Sequence, residues 1–314
     1  MNILTKNFVG VDVSKNWLDV CILPQKKELR VDNTKEGIEQ LLQIFSKNNI
    51  VQIVLESSGG YENLLMRLCS GAGYNVWQID PKRMRAFIMS EGVKAKTDKI
   101  DAKMIALFAS VKQPSYTSHK KSANNETMRA LVRRKADLTE MASMEKKRLK
   151  MSADDICKKQ IERHLNFINK SIETLDNQIQ ILIQKDENFR KRNDILQSIP
   201  GIGKATAAAL LVGMPELGTI SNKQAAALIG VVPYTKQSGM YKGSEFISGG
   251  RKAPRKALYM AALTASRHNK QMKDFYTRLR EKGKKPKVAI VAVMNKLTIT
   301  MNAMLHKNER WTQA

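Results

Sequence analysis

Four carboxylates in the first third of the chain, Asp12, Glu56, Asp98 and Asp101, have the types and spacing to do chemistry. Asp12 closes the short apolar run 8–12, and Glu56 follows the apolar run 51–55, so each is expected at the end of a β-strand. Carboxylates at strand ends converge on one edge of a sheet, where α/β folds build their sites. Asp98 and Asp101 stand three apart at the start of an expected helix and share one face of it. Such a set of hard oxygen donors suits divalent cations, and two ions held there can stabilise both the attacking and the leaving oxygen of a phosphoryl transfer. Taken singly, the residues have plainer uses: Asp12 as the cap of the following turn, Asp98 as a helix N-cap. A strand-end Asp, a strand-end Glu and an Asp-x-x-Asp pair in that order carry more weight together. Glu62 is a substitute for Glu56, but it lies past the Gly59-Gly60 turn and is expected on a helix surface.

A second group lies in the last third. Ser238, Ser244 and Ser248 sit in a glycine-rich loop, and a serine attacking a phosphate keeps the bond energy in a phosphoserine link. Residue types alone do not choose among the three. Lys236, Lys242 and Arg251 are nearby cations that could activate such a hydroxyl, while Gly239 and Gly243 let backbone come close to a sugar-phosphate chain. Arg251, Lys252, Arg255 and Lys256 form a basic cluster entering a helix and are expected to contact phosphates. Upstream, Gly201-Ile202-Gly203-Lys204 precedes a small-residue helix, as in a helix-hairpin-helix grip in which backbone N–H groups meet a phosphate.

Composition narrows the partners. The 314 residues carry a net charge of +25, and residues 234–314, with 18 Lys/Arg against 4 Asp/Glu, hold +14 of it. Charge concentrated in this way marks a surface for a polyanion, and nucleic acid is expected. No apolar run of about 18 residues or signal peptide is evident, so no membrane partner is expected. Three separated cysteines fit a reducing compartment, and a cytoplasmic, nucleoid-associated prokaryotic protein is the expectation. With only 6% aromatic residues, recognition by base stacking is not expected.

The elements that must position these residues follow from periodicity. Three short strands, a helix over 35–48, a strand at 51–55, a helix over 61–72, a strand at 75–79 and helices after Pro81 and from Asp98 make an α/β first domain, residues 1–123. Residues 124–190 lack glycine and proline, and Ile161, Leu165, Ile168, Ile172, Leu175 and Ile179 recur at helical spacing, which predicts a coiled-coil-like helical spacer. The stripe serves either two helices packed within one subunit or a coiled coil between subunits. Residues 191–314 form a mainly α-helical third domain.

Three segments then resemble a known family. Gly10-Val11-Asp12-Val13-Ser14-Lys15, Glu56-Ser57-Ser58-Gly59-Gly60-Tyr61 and Lys96-Thr97-Asp98-Lys99-Ile100-Asp101-Ala102 are similar to the motifs of the DEDD insertion-sequence transposases, the group of the Piv-type DNA invertases. Ser58 stands where the family usually has threonine. Gly230-Val231-Val232-Pro233, Gln237-Ser238-Gly239, Lys242-Gly243, Ser248-Gly249-Gly250-Arg251 and 255–262 resemble its C-terminal domain. The resemblance implies a RuvC-like, RNase H-type first domain with Asp12, Glu56, Asp98 and Asp101 as its metal tetrad, taking Mg²⁺ or Mn²⁺, with two ions expected. It selects Ser238 as nucleophile. It implies a transposase acting on element ends and target DNA, directed by a structured non-coding bridge RNA. A homo-oligomer, dimer or tetramer, is expected, with the tetrad of one subunit serving Ser238 of another. Two alternatives stand beside it: a RuvC-type junction endonuclease that uses water, and a non-catalytic nucleic-acid scaffold.

Overall fold

The computed structural model describes residues 6–92, 98–112, 123–234, 237–238, 241–242 and 246–312, with backbone only at 98–99, 123–125, 237–238 and 241–242. The chain divides into two compact units, Met1–Ser122 and Ala123–Ala314.

The first unit is built on a five-stranded sheet. Strands β1 (Asn7–Val13), β2 (Trp17–Leu23) and β3 (Lys27–Asp32) form an antiparallel meander, and β4 (Ile50–Glu56) and β5 (Val76–Ile79) add in parallel on the other side of β1. The resulting order is β3-β2-β1-β4-β5, with β1 at the centre. Between them run α1 (Lys35–Ser46), capped by the Thr34 side chain on the Gly37 N–H at 3.2 Å, and α2 (Asn63–Gly71). Helices α3 (Pro81–Ser90), with Asp80 as N-cap and Pro81 at its first position, and α4 (Asp98–Lys112) follow.

Strand alternation sorts β1 between two cores. Val9, Val11 and Val13 pack with Ile38, Leu41, Phe45, Leu65 and Cys69 of α1 and α2. Phe8 packs on the other face with Met84 and Phe87 of α3 and Ile105 and Phe108 of α4. Gly10 shares that second face. A Cβ there would overlap the Ala106 amide nitrogen and the Ala102 carbonyl oxygen, so α4 lies directly on the strand backbone. Asp12, two residues on, stays on the side that α4 covers. The alternation of strands and helices read from the sequence is thus present, and α4 packs on β1, β2 and β4.

The second unit is mostly helical. Helices α5 (Ala123–Met151) and α6 (Asp155–Lys185) are separated by a short break, and the Asp154 side chain caps α6 on the Cys157 N–H at 2.8 Å. They pack on each other within the chain: Leu138, Ala142, Leu165 and Ile168 form a core of their own, joined by Ile161, Ile172 and Leu175. The sequence left this stripe open between an internal pair and a coiled coil; these side chains are spent internally. Ile179 and Ile183, near the end of α6, enter the larger core of α7 (Glu187–Gln197), α8 (Lys204–Gly213), α9 (Asn222–Ile229), α10 (Lys252–His268), α11 (Lys270–Glu281) and α12 (Pro286–Lys307). Helix α12, 22 residues long, is apolar enough to cross a membrane by length and composition, which the sequence reading passed over. It buries Ile290, Val293, Met294, Leu297 and Met301 in this core, whose apolar demand explains its composition.

The contact at Gly10 has a direct test. Gly10→Ala drives a methyl group into helix backbone and is expected to cost about 3 kcal/mol, the upper range for overpacking. Gly71→Ala, where an added Cβ meets nothing within 4 Å, is expected to be neutral or to stabilise by about 0.5–1 kcal/mol. Chemical denaturation followed by circular dichroism measures both.

Candidate active site

In the first unit, the register aligns Val11 of β1 with Leu55 of β4, so Asp12 and Glu56 come one position later on adjacent parallel strands. Neighbouring strands lie about 4.8 Å apart, which brings the two backbones side by side. Both residues are half-buried, as is Asp101 in the first turn of α4. Asp98 opens the same helix; its side chain lies outside the described residues. Among the described residues, no three His, Cys, Asp or Glu side chains stand together as a finished metal cage. The donor chemistry of the edge nevertheless fits a hard cation, because all four candidate side chains offer carboxylate oxygen.

Residues beyond the four carboxylates shape this edge; Ser14 stands in the expected turn, while Asn33 and Asp19 had not been singled out. Ser14 closes the β1–β2 turn: its amide donates to the Trp17 carbonyl at 3.0 Å, and its hydroxyl accepts from the Trp17 N–H at 3.2 Å. Asn33 donates from its amide to the Ser14 carbonyl at 2.9 Å and the Tyr61 carbonyl at 3.1 Å, tying the loop after Asp12 to the loop after Glu56. Asp19, cross-strand partner of Asp12, is buried at 4% exposure and accepts two 2.8 Å bonds from Arg30. That fork neutralises a fifth carboxylate beside the site. In the sequence, Asp19 reads as one polar residue inside an apolar strand, which is the signal that could have found it.

Glu62 corrects the sequence reading. It is not on a helix surface but 5% exposed at the N-terminus of α2. Its carboxylate accepts from the Ser58 hydroxyl at 2.9 Å, the Gly60 N–H at 2.8 Å and the Gln78 side chain at 2.7 Å. It therefore organises the turn after Glu56 and binds it to β5. Ser58 supplies the hydroxyl that threonine would. Burial pushes the Glu62 pKa up, but the backbone N–H of Glu62 itself, the Gly60 N–H and the Ser58 donors outweigh it and hold the group below its ordinary value.

In the second unit, the nucleophile candidate is on a strand, not in an open loop. β6 (Pro233–Tyr234) pairs with β9 (Phe246–Ile247), and within that span β7 (Gln237–Ser238) pairs with β8 (Tyr241–Lys242). Ser238 is the register partner of Tyr241, and the two short pairs of strands are together termed the β-arm. Lys236, Gly239, Gly243 and Ser244 lie outside the described residues, as does the side chain of Lys242.

The basic cluster divides. Lys252 and Lys256 are exposed. Arg251 instead points inward, its fork on Glu216 at 2.7 Å twice and on the Gly213 carbonyl at 2.8 Å. Glu216, on the α8–α9 connection, has a side chain only 7% exposed, and a buried carboxylate requires such a partner. Burial also pulls Arg129 and Arg192 below the ordinary guanidinium value, with Glu216 opposing the shift in both. Arg255 donates to the Gly249 carbonyl at 2.6 Å and the Gly230 carbonyl at 3.3 Å. The phosphate contacts expected of Arg251 and Arg255 conflict with these internal bonds. Gly201 also has a packing reason: at φ +106° it lies on Ala265 of α10. Gly203, N-cap of α8, meets nothing, and Lys204 beside it is exposed, so this end of α8 is open to a phosphate.

A carboxylate-edged α/β unit joined in one chain to a basic helical unit is the layout of a nucleic-acid-processing enzyme. Comparison with known proteins makes this specific. Residues 9–157 match a transposase family model, the DEDD transposases of IS110 elements, and residues 193–277 match the transposase IS116/IS110/IS902 family. Both parts of the chain thus match models of the same group, the transposases of IS110-type elements. It is similar to the pilin gene-inverting proteins of Moraxella bovis and Moraxella lacunata, 28% identical to each over 97% of both chains. It is also 27% identical to the insertion element IS110 uncharacterized 43.6 kDa protein of Streptomyces coelicolor, over 48% of this chain and 37% of that protein.

The buried Glu62 generates a pH prediction. Because its pKa in the fold is depressed, its contribution is present above the ordinary carboxylate range and is lost as pH falls through the folded value. Wild type is expected to exceed Glu62→Gln by on the order of 2 kcal/mol at neutral pH, the range for bonds to a charged group. Denaturation midpoints measured down to pH 3 should show the gap closing; a gap independent of pH contradicts the assignment.

Proposed function

We propose that the protein is the transposase of an insertion sequence, cutting and rejoining DNA through a covalent phosphoserine at Ser238 with the help of a divalent-metal site in its first unit. The observation that carries this reading is the placement of Asp12 and Glu56 at the ends of adjacent parallel strands, on the sheet covered by the helix that opens with Asp98 and Asp101. A three-stranded meander followed by two parallel strands also supports an RNase H-type first unit. Asp12, Glu56, Asp98 and Asp101 would hold divalent cations, Mg²⁺ or Mn²⁺, which when bound would supply charge neutralisation for phosphoryl transfer.

The chain's own part is nucleophile, grip and alignment. The Ser238 Oγ bonds to phosphorus as its proton leaves. The bond from phosphorus to one bridging oxygen breaks, and that oxygen departs as a sugar hydroxyl after taking up a proton. A hydroxyl from the second DNA reverses the step and frees the serine, so no external energy source is consumed. Lys204, Lys252 and Lys256 are among the exposed cations of the basic unit that can meet backbone phosphates. A protein with few aromatics and a phosphate-gripping surface suits sequence choice by base pairing, which a structured non-coding RNA bound to the same basic surface supplies. Strand exchange handles two DNA molecules, so the active form is a homo-oligomer, and the site of action is the prokaryotic cytoplasm.

A denaturing gel tests the mechanism. Purified protein, Mg²⁺, element-junction DNA, target DNA and RNA transcribed from the element's flank are expected to give a protein–DNA adduct. Ser238→Ala should abolish it, and Asp12→Ala should lower it by about 100- to 1,000-fold, as expected when transition-state charge stabilisation is removed. Cleavage that survives Ser238→Ala with no adduct would establish the water-using endonuclease instead.

A further inference from the structure

The root of the β-arm is built more tightly than a loop needs. Gly230, the left-handed C-cap of α9 at φ +79°, begins it, and Gly250 at φ +71° ends it. A Cβ on Gly250 would overlap the Gly230 backbone, and one on Gly230 would overlap the Gly249 carbonyl, so the two legs touch backbone to backbone. Arg255, one turn into α10, donates to a carbonyl on each leg, Gly230 and Gly249. The Arg251 amide donates to the Leu228 carbonyl at 2.8 Å, and its side chain is held by Glu216. Beyond this root, the Pro233–Ile247 and Tyr234–Phe246 pairs start the arm.

We infer that Arg255, the Gly230–Gly250 contact and the Arg251–Glu216 pair form a clasp that sets where the Ser238 arm leaves the helical unit. Arg255 and Arg251 are positioning residues for strand cleavage, not phosphate contacts. Both bonds leave one nitrogen of the charged guanidinium, Nη1, and so hold both legs at once; a lysine ammonium, more strongly hydrated and on a flexible stem, does this less well. A nucleophile on a two-stranded arm gains its alignment from the arm's root, because an isolated pair of strands is only marginally stable. The inference rests on Ser238 being the nucleophile, so its test includes a readout that does not.

The full-length protein is compared with Arg255→Ala, Arg255→Lys and Lys256→Ala by hydrogen–deuterium exchange, salt-dependent DNA affinity and adduct yield. Arg255→Ala is expected to speed exchange in peptides spanning 233–247 by about 10- to 100-fold, the equivalent of losing bonds from a charged donor. Exchange in 286–307 should stay unchanged. The salt slope of DNA affinity should also stay at the wild-type value while adduct yield falls. Arg255→Lys should give the same pattern at smaller amplitude, and it decides the matter if Arg255→Ala loses its fold. Lys256→Ala should do the reverse, leaving arm exchange alone and reducing the salt slope by about 1. Unchanged exchange over 233–247 in both Arg255 variants, or a slope reduced as in Lys256→Ala, overturns the clasp. If wild type forms no adduct, the serine reading fails, and the exchange data still decide the clasp.

Discussion

The first unit depends on one close approach: helix α4 lies against the backbone of β1 because residue 10 has no side chain. Any larger residue would lift the helix off the strand, and with it the turn that carries Asp98 and Asp101. Two residues later the same strand carries Asp12, next to its last residue Val13, and its parallel neighbour ends in Glu56. One contact therefore sets the distance between the first turn of α4 and the strand-borne carboxylates Asp12 and Glu56. Core packing around Phe8, Ile105 and Phe108 holds that distance, since a well-packed interior resists even small changes of volume.

Around this edge the protein spends polar groups to keep charge under control. Arg30 neutralises Asp19, the cross-strand neighbour of Asp12, and Glu62 is buried as an organiser of the following turn. Asn33 joins the loops that follow the two strand-end carboxylates. In the helical unit the same economy appears with opposite sign. Two arginines of the basic cluster serve buried or backbone acceptors, while the lysine after each of them is exposed. Arginine's fork suits fixed internal geometry, and lysine's flexible point charge suits an exposed phosphate-facing role.

Much of this was legible in the sequence, for identifiable reasons. Strand and helix order in the first unit followed from apolar periodicity, and the placement of Asp12 and Glu56 at strand ends followed from where those runs stop. The helical nature of α5 and α6 followed from the absence of glycine and proline with a three-four apolar rhythm. What was not legible depends on contacts between distant residues. The burial of Glu62 needs Gln78 from β5, and the inward turn of Arg251 needs Glu216, 35 residues away. The arm's short strands contain too few residues for periodicity to register, so Ser238 read as a loop residue. The contact at Gly10 was not legible, because the helix that demands a glycine there lies some ninety positions later in the sequence.

The most direct test of the account is divalent-cation binding to the DNA-free protein, with Mn²⁺ titrated and followed by electron paramagnetic resonance. Wild type is expected to take up Mn²⁺ saturably, and Asp12→Asn, Glu56→Gln and Asp101→Asn are each expected to lose that uptake while keeping the wild-type melting temperature. Saturable uptake that survives all three substitutions, or no uptake by a folded wild type, would contradict the claim that α4 and the ends of β1 and β4 build one metal site.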